Sequence, residues 1–301
     1  MDKLRAMAAF VQIVEKRSLT AAADALGTSP ASTVRTLAAL ERSLGARLLN
    51  RTTRRIALTD EGRAYYDRAR RILGDVADVE AAVSPKQGKP RGRLAIGSSV
   101  LFGRLHLAPL VAEFLALHPE MRIELLMLDR VVNLVEEGLD ASVRIGTLAD
   151  SSLVAIAVGR TRRVVCASPA FVKRHAVPRA PADLARHPCI RFTGLASGDW
   201  EFRAGGKPVR VRVEGPIATN QIDAAIDACL QGLGFGMFFC YQVAAHVRAG
   251  RLRYVLEAHE PGPVPVSLVY PQARLVSARL RAFIDWVVPR MRERLGAASK
   301  G

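Results

Sequence analysis

Between Arg35 and Arg55 the chain carries six arginines, Arg35, Arg42, Arg47, Arg51, Arg54 and Arg55, against the single acid Glu41. A guanidinium is always charged and presents a rigid fork of donors that matches phosphate oxygens, so charge this one-sided suits a nucleic-acid backbone. Elements to carry those arginines can be read around them. Ser18 is an N-cap candidate for LTAAADAL, with Gly27 as its stop, and Ser29 followed by Pro30 supplies a second cap with proline at the first helical position. Two helices joined by so short a turn form a helix-turn-helix. Thr33, Leu37, Leu40 and Leu44 recur on one face of the second helix, which makes that face core. Val34 and Arg35 then lie outside the seam, with Pro30 and Ala31 opening the helix. Residues 47–51 and 56–59 read as short strands whose tip, Arg51 to Arg55, forms a basic wing. A helix entering the major groove beside arginines that hold the backbone is how such a motif binds DNA. The same residues would also make a solvated basic hairpin on an ordinary three-helix domain.

The pattern resembles the N-terminal domain of LysR-type transcriptional regulators. That family places S-P-x-x-x-x-R-x-L-x-x-L-E before L-G-x-R-L-L-N-R-T-T-R-R-x-x-L-T-x-E-G, and here these residues are Ser29, Pro30, Arg35, Leu37, Leu40 and Glu41, then Leu44 to Arg55, Leu58, Thr59, Glu61 and Gly62. The chain departs at Thr33 and Val34, where the family more often has an aliphatic residue and then serine; a valine there can meet a thymine methyl. The resemblance implies DNA contacts through Ser29, Pro30, Ala31, Ser32, Val34 and Arg35 on the helix, and Arg51, Thr52, Arg54 and Arg55 on the wing. It also implies RNA polymerase as a further partner.

The chain has 301 residues, a net charge of +16 and a pI near 10.6, which favours a polyanionic partner, nucleic acid ahead of an anionic membrane. Its opening residues lack the apolar core of a signal peptide, and no uninterrupted run of eighteen apolar residues occurs, so a cytoplasmic protein without a membrane partner is expected. Cys166, Cys189, Cys229 and Cys240 show no CxxC spacing and are read as core or free thiols.

Leu4, Met7, Phe10, Val11 and Val14 put a scaffold helix before the helix-turn-helix. After the wing, Asp60 and Glu61 begin a long helix on which Tyr65, Ala69, Ile72, Val76, Val79 and Val83 form an a/d seam. The seam suits pairing of two copies, or a single amphipathic helix lying on its own domain; LysR-like regulators place a dimerising linker helix here, which implies a homodimer or homotetramer. SPKQGKPRG, from Ser84 to Gly92, reads as a hinge. Beyond it, strand-like RLAIG, a helix at 102–118, a strand at 123–128, a helix at 131–138 and a strand at 141–145 argue for α/β. The domains expected are thus 1–59, an all-α winged helix-turn-helix; 60–90, a linker helix and hinge; and 91–301, a two-lobed α/β domain similar to periplasmic binding proteins. Lobe one takes about 91–161 and 267–301, lobe two about 162–266.

Open α/β sheets bind ligands beyond the carboxyl ends of strands. Ser98, Ser99 and Val100 follow one strand and Thr219, Asn220 and Gln221 another; by resemblance these turns face each other across a cleft, joined by Gly146, Thr147 and Phe202. Hydroxyls and amides over helix starts suit a small carboxylate effector, although the same residues would also serve simply as caps. Enzymatic readings find no support: G-x-S-x-G, G-x-x-x-x-G-K-[ST] and H-E-x-x-H are all missing, GLGFG at 232–236 lacks the setting of a dinucleotide fingerprint, and the six histidines have no metal-ligand spacing. The expectation is a LysR-like, effector-controlled regulator of double-stranded DNA without cofactor or metal. The alternative is a small-molecule binding protein with an accessory nucleic-acid-binding domain.

Overall fold

Ser18 accepts a hydrogen bond from the Ala21 amide at 3.2 Å and Ser29 one from Ser32 at 3.2 Å, so both helices of the basic segment begin on a hydroxyl cap. The first of them ends in a Schellman arrangement: Thr28 N–H reaches Ala23 O, Gly27 N–H reaches Asp24 O, and Gly27 stands at φ +62°. In this computed structural model the described residues are 2–52, 55–83, 90–148, 152–194, 199–272 and 276–298. They fall into two units, Met1–Gly92 and Arg93–Gly301.

The first unit runs α1 (Lys3–Lys16), α2 (Leu19–Ala25), α3 (Pro30–Leu44), β1 (Leu49–Thr52), β2 (Arg55–Leu58) and α4 (Asp60–Val83). Its core joins Phe10, Ile13, Ala22, Leu37, Leu40 and Leu48. Phe10 meets Tyr65 of α4 edge to face at 5.6 Å. Two expected core positions, Leu4 and Leu44, are instead 42% and 44% exposed. Ile13 on α1 and Leu48 and Leu49 at the start of the wing are buried in the core instead. The wing is antiparallel, with Leu49 opposite Leu58 and Thr52 opposite Arg55. It is bound to α4 through Thr59, whose hydroxyl donates to Arg47 O at 2.7 Å and accepts from Gly62 N–H at 2.9 Å. Thr53, Arg54 and residues 84–89 of the expected hinge lie outside the described residues.

The second unit runs β3 (Gly92–Ser98), α5 (Val100–Phe102), a π-turn at Gly103–Leu107, α6 (Ala108–Leu117), β4 (Met121–Met127), β5 (Ala141–Ile145) and β6 (Leu153–Ala167). Then come α7 (Pro169–His175), β7 (Cys189–Phe192), β8 (Asp199–Ala204), β9 (Lys207–Arg212), β10 (Ile217–Thr219), α8 (Ile222–Leu230), β11 (Phe235–Phe239), α9 (Cys240–Arg248), β12 (Arg253–Val255), β13 (Pro263–Pro271) and α10 (Ala278–Ala298). Among the described residues the main sheet has the order β10-β7-β11-β6-β13-β5-β3-β4, with β12 also on β6, and β8 and β9 form a separate hairpin. β6 is 15 residues long. Its residues 153–162 pair with β13 and its residues 163–167 pair with β11 and β12, so this one strand belongs to both halves of the unit.

Two expected helices differ. Residues 131–138 form a turn, because the Asn133 side chain accepts from Val135 N–H at 3.0 Å and Gly138, at φ +69°, ends the single turn that follows. The helix expected from 102 begins at Val100 and is interrupted by the π-turn, just before Pro109, whose ring nitrogen has no N–H to continue the ladder. The run Val100–Leu117 has the length and mean hydropathy, 1.6, of a membrane span. It is a core helix here, with Phe102, Leu107, Leu110 and Phe114 buried and Glu113 paired to Arg294.

A Cβ on Gly62 would stand 1.9 Å from Leu48 O. Gly62→Ala therefore forces the wing off α4 and is expected to cost roughly 3 kcal/mol, at the upper end of single-residue effects. Hydrogen exchange on the full chain checks this: protection across α1 to α3 should fall while that of β13 and α10 is unchanged.

Candidate DNA interface and ligand cavity

In α3, Thr33 is turned inward, its hydroxyl donating to Ser29 O at 3.3 Å and lying 3.0 Å from that of Thr28. The opposite face is free: Ser29, Pro30, Ala31 and Arg35 are exposed, and Ser32 and Val34 are half-buried. All six expected helix contacts therefore lie on or next to the accessible N-terminal half of α3. The backbone of Arg51, Thr52 and Arg55 forms the ends of the wing strands; Arg54, and the side-chain positions from 51 to 55, lie outside the described residues. Glu41, the one acid in the basic stretch, accepts from the Leu48 and Leu49 amides at 2.9 and 3.2 Å. It is a structural tie from α3 to β1.

On α4 the expected seam divides. Tyr65 packs against Phe10, and Ala69 is 1% exposed, so both are taken up by their own unit's core. Ile72 and Val79 are 42% and 60% exposed, with Val76 half-buried between them. The Val83 side chain lies outside the described residues.

A cavity of about 540 Å³ opens in the second unit where strands of both halves end. From one half come Ser98 and Ser99 after β3, Asp129 and Arg130 after β4, Arg144 on β5, and Gly146 and Thr147 after it. The other half gives Phe192 at the end of β7 and Gly194 after it, Ile222 opening α8, and Phe239, Tyr241 and Gln242 at the junction of β11 and α9. Leu126, Leu128, Val132, Val143 and Ile145 complete largely apolar walls.

The polar groups of this cavity are held firmly. Leu128 N–H donates to Ser98 O at 2.9 Å, and Asp129 Oδ1 accepts from Val100 N–H at 3.0 Å, which ties the end of β4 to the start of α5. Burial pushes the Asp129 carboxyl up; the Val100 amide opposes this and Asp223 adds to it. Asp129 Oδ2 and Ser98 Oγ are buried without a hydrogen-bond partner. Arg144 donates to Val132 O at 2.6 Å, and no carboxylate pairs with it among the described residues. Burial drives the Tyr241 phenol well up, against the opposing effect of Ser99 and Gln242.

Ser98, Ser99, Gly146 and Thr147 thus line one cavity, as their sequence positions suggested. The five other expected residues do not. Thr219, at the end of β10, turns its hydroxyl to Gln221 N–H at 3.0 Å, and β10 is the edge strand, so the turn of Thr219, Asn220 and Gln221 lies one strand beyond the lining at Phe192. Phe202 is 2% exposed among Trp200, Val211 and Phe235, a core residue of the other half. Val100 contributes its amide to Asp129 rather than a side chain to the lining. The residues missed were Asp129, Arg144, Tyr241 and Gln242. All stand at or just past the carboxyl end of a strand, so applying that rule to every strand, not only to those followed by serine or threonine, would have found them.

His106 is wedged between Phe102 and Tyr241, at 4.8 and 5.3 Å, and burial lowers its pKa. Among the described residues no three His, Cys, Asp or Glu side chains cluster to hold a metal. The four cysteines are free, and burial pushes Cys189 up to about 12, which leaves it a packed thiol.

A helix-turn-helix with a wing in one unit, and a two-part α/β unit with a cavity at its strand ends, define a ligand-responsive DNA-binding regulator. Residues 4–63 match the bacterial regulatory helix-turn-helix of the lysR family, and residues 87–292 match the LysR substrate binding domain. The chain belongs to the LysR family of transcriptional regulators. It is 36% identical over 291 residues to an HTH-type transcriptional repressor of Pseudomonas aeruginosa, covering 96% of this chain and 92% of that one. Among solved structures it resembles CrgA, a LysR-type regulator from Neisseria meningitidis, at 31% identity and a TM-score of 0.61 over 95% of this chain and 98% of that one. The full-length Vibrio cholerae virulence activator AphB is similar at 25% identity and a TM-score of 0.61, covering 94% and 98%.

Removing a charged acceptor from two amides costs about 1 to 3 kcal/mol. Glu41→Ala should therefore loosen the wing, and trypsin should cut after Arg47 roughly tenfold faster or more. An unchanged cleavage rate would show that the wing holds without the tie.

Proposed function

We propose that this regulator reads its operator through Ser29, Pro30, Ala31, Ser32, Val34 and Arg35 and holds the phosphate backbone through Arg51, Thr52, Arg54 and Arg55. What supports the base contacts is the free N-terminal half of α3, fixed relative to the wing by Glu41. Residues 1–59 act as the DNA-binding domain, 60–90 as linker, and 91–301 as effector domain, with lobes of 91–161 plus 267–301 and of 162–266. Dimers form along Ile72, Val76 and Val79, a stripe supported by the exposure of Ile72 and Val79 on either side of the half-buried Val76. The protein works in the cytoplasm, at promoters occupied by RNA polymerase.

The effector is a small carboxylate held in the 540 Å³ cavity. Arg144 carries this reading: a guanidinium lining a largely apolar cavity, bonded to the Val132 carbonyl and paired with no carboxylate among the described residues, is matched by a carboxylate. The hydroxyls of Ser98, Ser99 and Thr147 orient it. Because the cavity takes side chains from both halves of the unit, a ligand that touches both favours the arrangement in which they are together, and that differential affinity shifts the regulator.

Two measurements test the DNA and assembly parts. Arg35→Ala should cost about 1 to 3 kcal/mol on DNA from the chain's own upstream region and much less on random DNA, read by gel shift; equal losses would make Arg35 a backbone contact. Val79→Glu places a charge in the seam without disturbing its own unit, so sedimentation should show the dimer weakened. An unchanged oligomer would assign assembly to the second unit alone.

A further inference from the structure

We infer that Asp129 is a specificity-determining residue that receives a hydrogen-bond donor of the effector, so that the effector class is a hydroxy- or amino-carboxylate. The proposal rests on the reading of Arg144 as the carboxylate anchor and adds to it a second, oppositely charged point of recognition.

Asp129 lines the cavity, and its two oxygens have different fates. Oδ1 accepts from Val100 N–H and does all the work that capping needs. Oδ2 is buried with no partner, as is the Ser98 hydroxyl, and the bonds Leu128 N–H to Ser98 O and Val100 N–H to Asp129 Oδ1 bring these two residues side by side. A buried acceptor left unpaired is costly, and low dielectric makes that cost larger. Asparagine would cap Val100 equally well, so the cap alone gives no reason for a carboxylate here. Burial that raises the Asp129 pKa is what a ligand hydroxyl or ammonium would relieve.

The same wall carries Arg144, whose cation lacks an acid among the described residues. Arg130, also in the lining, is already paired with Glu137 at 2.6 Å and is not available in the same way. A cavity whose described lining holds Arg144 without an acid partner and Asp129 with one oxygen unpartnered, with Leu126, Leu128, Val143, Ile145, Phe192 and Phe239 around them, fits a molecule with an acid, a neighbouring donor and an apolar body. A site built around such a donor discriminates strongly against the analogue that lacks it, because the buried partner is then stranded.

The test is calorimetric titration of the full chain with two matched sets: 3-phenylpropanoate, 3-phenyllactate and phenylalanine, and succinate, malate and aspartate, with phenethylamine as an amine lacking the acid. The expected result is that, in the set that binds, a hydroxy or amino member binds at least about tenfold tighter than its unsubstituted acid. Asp129→Asn, which retains the cap oxygen, should erase that preference, and Arg144→Ala should weaken every member of the set. Ligand-free DNA binding by gel shift should be unaltered in both variants, which separates recognition from folding. If the unsubstituted acid binds the parent as tightly as the others, or Asp129→Asn keeps the preference, Asp129 is only a cap; the proposal fails and the carboxylate reading stands. If phenethylamine binds, indifferent to Arg144→Ala, while no acid does, the carboxylate reading itself fails. Binding by no member of either set overturns the effector class.

Discussion

The second unit depends on a single strand shared between its halves. β6 pairs with β13 along residues 153–162 and then with β11 and β12 along residues 163–167, so the hydrogen-bond ladder is handed from one half to the other within one extended segment. The shared strand passes under close packing: a Cβ on Gly159 would stand 2.7 Å from the Leu295 side chain. The ladder with β13 shifts register between Val266 and Ser267, beside this point. A bulge there lets two strands diverge without losing either ladder, which is how strands pass from one layer to another. The cavity is the space left where the strand ends of the two halves approach each other.

That origin explains the character of the cavity. Strand ends bring backbone amides and short polar side chains, while the strand faces behind them bring leucine, valine and isoleucine, so apolar walls close around a few polar groups. The opposite charges of Asp129 and Arg144 are each stationed by a backbone contact, the Val100 amide for one and the Val132 carbonyl for the other. Neither carboxylate nor guanidinium neutralises the other in the bonds seen, and each retains capacity for a ligand. Tyr241 and Phe239 stack at 6.0 Å on the far side, with Arg163 over the Phe239 ring, and give that side a rigid aromatic surface.

The first unit shows a different economy, in which residues that resemble a DNA-binding motif turn out to have mechanical duties. Glu41 satisfies two wing amides, Thr59 links Arg47 O to Gly62 N–H, and Gly62 leaves room for Leu48 O. These contacts set the wing against α3 and α4. The Glu41 carboxylate, the Thr59 hydroxyl and the bare Gly62 thus fix where the wing stands in its unit.

Local chemistry was legible in the sequence wherever it closed within a few residues. The Ser18 and Ser29 caps, the Gly27 stop, the Pro30 start, the inward Thr33 and the strand-end serines Ser98 and Ser99 all depend on neighbours in the chain, and all stand as their spacing suggested. The LysR motif, too, is a string of such local requirements, which is why it identified the family before any fold was known. What the sequence could not determine was decided by distant packing. Leu44 fits the periodicity of α3 but is left exposed, while Leu48 and Leu49, beyond the helix, enter the core. Tyr65 and Ala69 share a seam with Val79, yet α1 covers only the former pair. Thr219 and Phe202 satisfy local rules for a ligand turn and a strand, but the strand order puts one on the sheet edge and the other in a core. Asp129 and Arg144 gain their meaning only when β4 and β5 end at the same cavity, since a group's solvation and its partners are properties of the assembled sheet and not of its position along the chain.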